Sequence, residues 1–163
     1  MKKLNYILIP LIVLTVDIAG GWLTNIGMGW YKNLNLPEWT PPGGTIGIVW
    51  TVIFILTAVS ILIFWNKSER NRKFRWITGL FIANAVLNVA WSWIFFVRHQ
   101  MLFAVIDSAL ICVSVLLIIL YMRSSAKSQG KQLLYFAYML LLPYLAWTAF
   151  ATYLTYAVWS LNK

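Results

Sequence analysis

The sequence offers a metal ion very little. It contains one histidine, His99, and one cysteine, Cys112. No two such residues stand at metal-ligand spacing, and no histidine falls in an apolar run where it could reach a haem iron. Cys112 lies in the middle of an apolar run and reads as a small hydrophobe. No Ser/His/Asp set, no GxxxxGK[ST] loop and no GxGxxG loop occurs, so conventional hydrolase, NTPase and dehydrogenase chemistry has no support. Charge is scarce too. Only 10% of the residues are Asp, Glu, Lys or Arg, against roughly a quarter in a soluble domain. Such a chain cannot cover its surface with polar groups, so its solvent is lipid.

What is present is apolar sequence in long runs. A membrane-crossing helix needs about 20 mostly apolar residues. Five runs qualify: 6–23, 45–65, 76–97, 102–122 and 133–159. The second, third and fifth carry no charge, the first carries Asp17 and the fourth Asp107. Only helices and closed barrels satisfy their backbone in hydrocarbon, and runs this long exceed barrel strands. The expected fold is therefore a single all-α domain over 1–163, an integral membrane bundle of five helices. Lys2, Lys3, the first run and Ala19-Gly20-Gly21 would also fit a signal peptide. No soluble domain follows, so the segment reads as a retained first span.

The net charge of +9 is distributed by loop. The N-terminus and the second and fourth loops hold ten Lys and Arg, and the first and third loops and the C-terminal tail hold three. By the positive-inside tendency the N-terminus is cytoplasmic and the C-terminus outside in a bacterial-type inner membrane. The positive charge is then a matter of topology, with no nucleic acid implied. The basic second loop, NKSERNRKFR, also suits anionic lipid heads.

The first loop, read as Thr24–Gly44, spans about 21 residues and falls on the outer side. Pro37, Pro41 and Pro42 fix φ at three places, and Trp30, Tyr31 and Trp39 give it apolar mass. It reads either as a lid or as an interfacial loop with tryptophans at headgroup level. Beneath it, at about 1.5 Å per residue, polar and aromatic residues of all five helices share the outer half of the membrane. These are Asp17, Trp50, Asn84, Asn88, Trp91, Asp107 and Trp147. Asn84 and Asn88 are four apart and share a helix face that Trp91 extends. A few polar groups among large aromatic walls describe a small-molecule pocket. Each residue also has a plainer role: the asparagines as interhelical glue, Asp107 as a partner of Arg98, Trp50 as a belt residue. Trp147 lies too deep for a belt, whereas Trp22, Trp65, Trp76, Trp93 and Trp159 lie near span ends and fit one. Pro143 gives the long fifth run a cause to kink.

The stretches WYKNLNLPEWTPPGGTIGIVWT, LNVAWSWIFF, RHQMLFAVID and LPYLAWTAFATYLTYAVWSLN resemble the tryptophan-rich sensory protein family, also called the translocator protein or peripheral benzodiazepine receptor family. The likeness runs through the whole chain in order. It implies a five-helix bundle, often a homodimer, with a pocket under the first loop for porphyrins and for benzodiazepine- or isoquinoline-type ligands. No cofactor is required; porphyrin enters as ligand. The resemblance also implies light-dependent porphyrin breakdown in some members. Trp50 and Trp147 match the tryptophans involved, Asn84 a pocket asparagine, and Tyr31 and Trp39 lid residues. Two departures stand out. The sterol motif of animal members is incomplete, because Leu154 and Tyr156 fit it but Ser160 stands where a basic residue is expected. Gly44 replaces a bulky residue.

The expected function is a membrane receptor, sensor or carrier for porphyrin. The alternative is a porphyrin-degrading enzyme using Trp50 and Trp147. A channel is disfavoured, since no charged or carbonyl-rich pore motif is present.

Overall fold

The computed structural model describes residues 4–163, and those residues are helical with short connections. Lys2 and Lys3, counted above toward the basic side, lie outside the described residues. The helices are α1 (Asn5–Tyr31), α2 (Gly43–Lys67), α3 (Arg72–Ser92), α4 (Met101–Gln129), α5 (Gln132–Met139) and α6 (Leu142–Leu161). A single π-helical turn, Trp93–Val97, extends α3. Counting α3 with its π turn as one helix, and α5 with α6 as one, five helices are long and apolar enough to cross a membrane. Around the bundle the order is α1, α2, α5/α6, α4, α3.

Two departures from the sequence reading follow from what ends a helix. The apolar run of α1 stops at Thr24, but no residue there breaks the backbone, and the helix continues to Tyr31. The first loop is thereby shortened to Lys32–Pro42, and Trp30 and Tyr31 become helical. Trp22, exposed to the surroundings, then lies nine residues inside α1 and not at its end. The fifth run does more than kink. Pro143 has no N–H to donate to Met139, so α5 ends at Met139 and α6 restarts with Pro143 in its first turn.

The two ends of the bundle are packed differently. The basic end holds most of the core, including Phe64, Ile77, Ile118, Met122, Leu134 and Leu141. Ser60 Oγ donates to the Ala137 carbonyl at 2.8 Å and ties α2 to α5. Asn5 Nδ2 donates to Asn66 Oδ1 at 2.7 Å and ties α1 to α2. In the adjoining turn the Arg70 guanidinium lies over Trp65 and Phe74, 4.5 and 3.9 Å from their ring centroids. Lys131 pairs with Glu69 at 3.3 Å.

At the opposite end, which we term the loop end, α1 meets the π turn through Gly27. A Cβ at Gly27 would overlap the Phe96 backbone. Tyr31 packs on Phe95 and Phe96, and Trp30 stacks on His99 with centroids 4.0 Å apart. These contacts hold α1 and α3 together at the rim and leave the centre of this end hollow.

Candidate functional site

The hollow is a cavity of about 800 Å³ reached by α1, α2, α3 with its π turn, α4, α6 and the first loop. That volume lies within the roughly 300–1,000 Å³ typical of small-molecule sites. The loop roofs it with Leu36, Pro37, Thr40, Pro41 and Pro42. The prolines work as expected from their restricted φ. Thr40 closes a turn by donating its N–H and Oγ1 to the Pro37 carbonyl at 3.0 and 2.7 Å. The turn into α2 is made at Pro42, in extended conformation, and Gly43 and Gly44 are already helical. Nothing lies within 4 Å of a Cβ at Gly44, so the position has room for the bulky residue it lacks.

Of the residues picked from the sequence, Tyr31, Trp50, Asn88, Trp91 and Trp147 line this one cavity. Their rings are held in place by neighbours: Trp91 stacks on Phe95 at 5.2 Å, Trp147 leans on Phe150 at 5.2 Å and Trp50 meets Tyr144 edge-on at 6.1 Å. The indole nitrogens of Trp91 and Trp147 are buried and find no hydrogen-bond partner among the described residues.

Trp39, Asn84 and Asp107 do not line it. Trp39 stacks on Tyr153 with centroids 5.3 Å apart and meets Phe150 edge-on, fastening the loop to the outside of α6. The loop is tied to α6 a second time at Asn162, whose side chain accepts from Asn35 N at 2.9 Å and donates to its carbonyl at 2.8 Å. Asn84 is buried beneath the cavity. Its Nδ2 donates to Ser114 Oγ at 2.8 Å and its Oδ1 accepts from Tyr144 Oη at 2.9 Å. Asn88 Nδ2 donates to Tyr144 Oη at 2.6 Å and to the Asn84 carbonyl at 2.8 Å. The network joins α3, α4 and α6 and fixes the level below which the bundle is solid. Asp107 is 5% exposed, and its Oδ2 has no partner among the described residues. Arg98, the partner considered for it, instead lies over Trp93.

Four contributing residues were missed. Tyr144 needed the tertiary fold to show that it serves both asparagines. Phe95 and Phe96 read only as part of an apolar run. Asp17 was noted for its depth but not as a site residue, although a lone acid in an apolar run is itself a signal. It lines the cavity.

A model described as the TspO/MBR family matches residues 7–160. The tryptophan-rich protein TspO of Bacillus cereus is 37% identical over 133 residues, covering 82% of this chain and 80% of that one. An uncharacterized membrane protein of Bacillus subtilis, YtaB, is 32% identical over 164 residues, 99% of each chain. The human translocator protein is 33% identical over 137 residues, 83% of this chain and 76% of that one.

Proposed function

The chain belongs to the TspO/MBR family of multi-pass integral membrane proteins, and from that membership and its geometry we propose that the loop-end cavity binds porphyrins. In this reading the protein is a membrane receptor, sensor or carrier for protoporphyrin and haem-type tetrapyrroles. Benzodiazepine- and isoquinoline-type molecules share the required character of flat aromatic bodies with few polar groups. The observation that carries the reading is the cavity: about 800 Å³, walled by Trp50, Trp91, Trp147 and Phe150 and roofed by a proline-shaped loop. The test is titration of protoporphyrin into purified protein in neutral detergent, followed by quenching of tryptophan emission. The reading expects one saturable site per chain; quenching that rises linearly without saturation counts against it.

A second reading is favoured by one fact, that Trp50 and Trp147 line the same cavity. Indole rings are oxidisable and quench excited states, so a bound porphyrin under light would meet two of them. Absorbance of bound protoporphyrin in light and in dark separates binding alone from binding with conversion.

The charge bias supports a cytoplasmic N-terminus and an outer loop end. A Glu69→Cys variant, at an exposed position of the basic end, should then resist an impermeant thiol reagent added to intact cells and react after permeabilisation. Labelling from outside would reverse the orientation.

The protein forms a homodimer through α3 in this account. Ala83 and Ala90 stand seven residues apart on α3, two turns along one face, with Ala83 exposed and Ala90 half-buried, and small residues let helices approach closely. An Ala83→Cys variant should yield a disulfide-linked dimer in lipid, and monomer alone under oxidising conditions would refute the interface.

A further inference from the structure

Among the residues that line the cavity, Asp17 alone carries an ionisable acidic or basic group at neutral pH. It makes no hydrogen bond or ion pair among the described residues, and its place in the bundle gives it no basic neighbour on the cavity wall. Counting from Tyr31 at about 1.5 Å per residue, it lies roughly 21 Å down α1, near the middle of that helix. A carboxyl group at such a depth is costly and by default functional.

The level of Asp17 can be set against α3. A Cβ at Gly20 would stand 3.4 Å from Ser92 Oγ, and Gly27 touches Phe96, so α1 and α3 run side by side in the same direction. One helical turn toward the basic end brings Asp17 on α1 and Asn88 on α3 to a common level, both on the cavity wall. Asn88 gives its amide N–H groups to the Asn84 carbonyl and to Tyr144 Oη. Its carbonyl oxygen remains for the cavity. The floor therefore offers two acceptors from different helices. Gly21 on α1 and Gly47 on α2 also line the cavity, and nothing lies within 4 Å of a Cβ at either.

From this placement we infer that Asp17, with the Asn88 carbonyl, forms a subsite that recognises a cationic or N–H-donating group on an otherwise flat apolar ligand. Such a group removes the cost of a solitary carboxylate in hydrocarbon, whereas a ligand carboxylate brought to the same floor adds to it. The subsite sets specificity within the cavity. It requires the cavity to take ligands, but it does not require the ligand to be a porphyrin.

Three pyrenes with one short side group each provide the test: pyrenylmethyl-ammonium, its neutral isostere ethylpyrene, and pyrene acetate. Each is titrated into the protein in nanodiscs of zwitterionic lipid, with energy transfer from tryptophan as the readout and the lipid-partitioned fraction measured separately. A charge-assisted hydrogen bond predicts that the cation binds roughly tenfold or more tighter than the neutral probe, and the carboxylate weaker than both. Asp17→Asn should bring the cation to within about twofold of the neutral probe, while saturable binding of ethylpyrene persists and shows the cavity intact. Asp17→Glu should retain the preference. Equal affinity of the wild type for all three probes would overturn the subsite without any variant, as would an unaltered cation preference in Asp17→Asn. Loss of saturable protoporphyrin binding beside a retained cation preference would fall on the porphyrin reading alone.

Discussion

The Gly27→Leu variant is expected to melt well below the wild type and to lose most protoporphyrin binding with it. Gly27 is the point where α1 touches the π turn, and a Cβ there would overlap the carbonyl of Phe96. That backbone has little room to retreat. Arg98 N donates to the Trp93 carbonyl at 3.0 Å, and Gln100 N to the Ile94 carbonyl at 3.0 Å, so the turn is closed on its own hydrogen bonds. The helices must separate instead, which draws Tyr31 away from Phe95 and Phe96 and opens the rim of the cavity. Overpacking in a well-filled interior costs about 1–3 kcal/mol, and a clash with backbone belongs at the upper end. Gly29→Leu supplies the comparison on the same helix, since nothing lies within 4 Å of a Cβ at that position. Thermal melting in detergent should separate the two variants clearly. Equal melting temperatures would mean that the close approach at Gly27 does not hold the rim.

The second large effect concerns the indole of Trp147. If bound porphyrin is converted in light by cavity tryptophans, Trp147→Phe retains binding and loses most of the conversion. Phenylalanine keeps most of the apolar wall, and the smaller ring only enlarges a cavity that Trp147 already faces. The exchange removes the more easily oxidised ring. No hydrogen bond is lost, because the Trp147 indole nitrogen has no partner among the described residues. Trp50→Phe should act in the same direction, since Trp50 lines the same cavity. A purely structural role predicts weaker binding and lower melting in proportion, with conversion per bound porphyrin unchanged. The deciding quantity is the conversion rate at saturating protoporphyrin, beside a binding titration of each variant.

The five crossings were legible because hydrophobic length is a direct physical requirement of the bilayer. The ends of the helices were less so. Hydropathy marks where lipid-compatible sequence stops, whereas a helix stops where its backbone is interrupted, and between Thr24 and Tyr31 nothing interrupts it. Pro143 does interrupt, because a missing N–H acts locally, and the break at Met139 lies one turn before it. The π turn had no such signal. Its surroundings are tertiary: a glycine on α1, two phenylalanines and the reversal at His99, which has φ of 54°.

The candidate site divides in the same way. Depth and helical spacing bring Trp50, Asn88, Trp91 and Trp147 to one place, and Tyr31, read as a loop residue, joins them from the end of α1. Spacing cannot distinguish a wall from its support. Asn84 and Asn88 are one turn apart on one face, yet only Asn88 reaches the void, and Asn84 is spent on Ser114 and Tyr144. Trp39 sits in the stiff loop as anticipated, but its ring faces α6 and secures the loop from outside. Asp107 lies at the anticipated depth and is turned into packed side chains, away from the cavity.

The central claim, that the hollow at the loop end is where porphyrin binds, is tested most directly by filling it. Ala151 on α6 lines the cavity, and Ala149, two residues before it, is exposed on the outside of the same helix. Protoporphyrin is titrated into the wild type, Ala151→Trp and Ala149→Trp, with melting of each variant measured alongside. The account predicts wild-type binding for Ala149→Trp and loss of saturable binding for Ala151→Trp, with the bundle still folded. Wild-type affinity in a folded Ala151→Trp variant would contradict it and place the porphyrin elsewhere on the molecule.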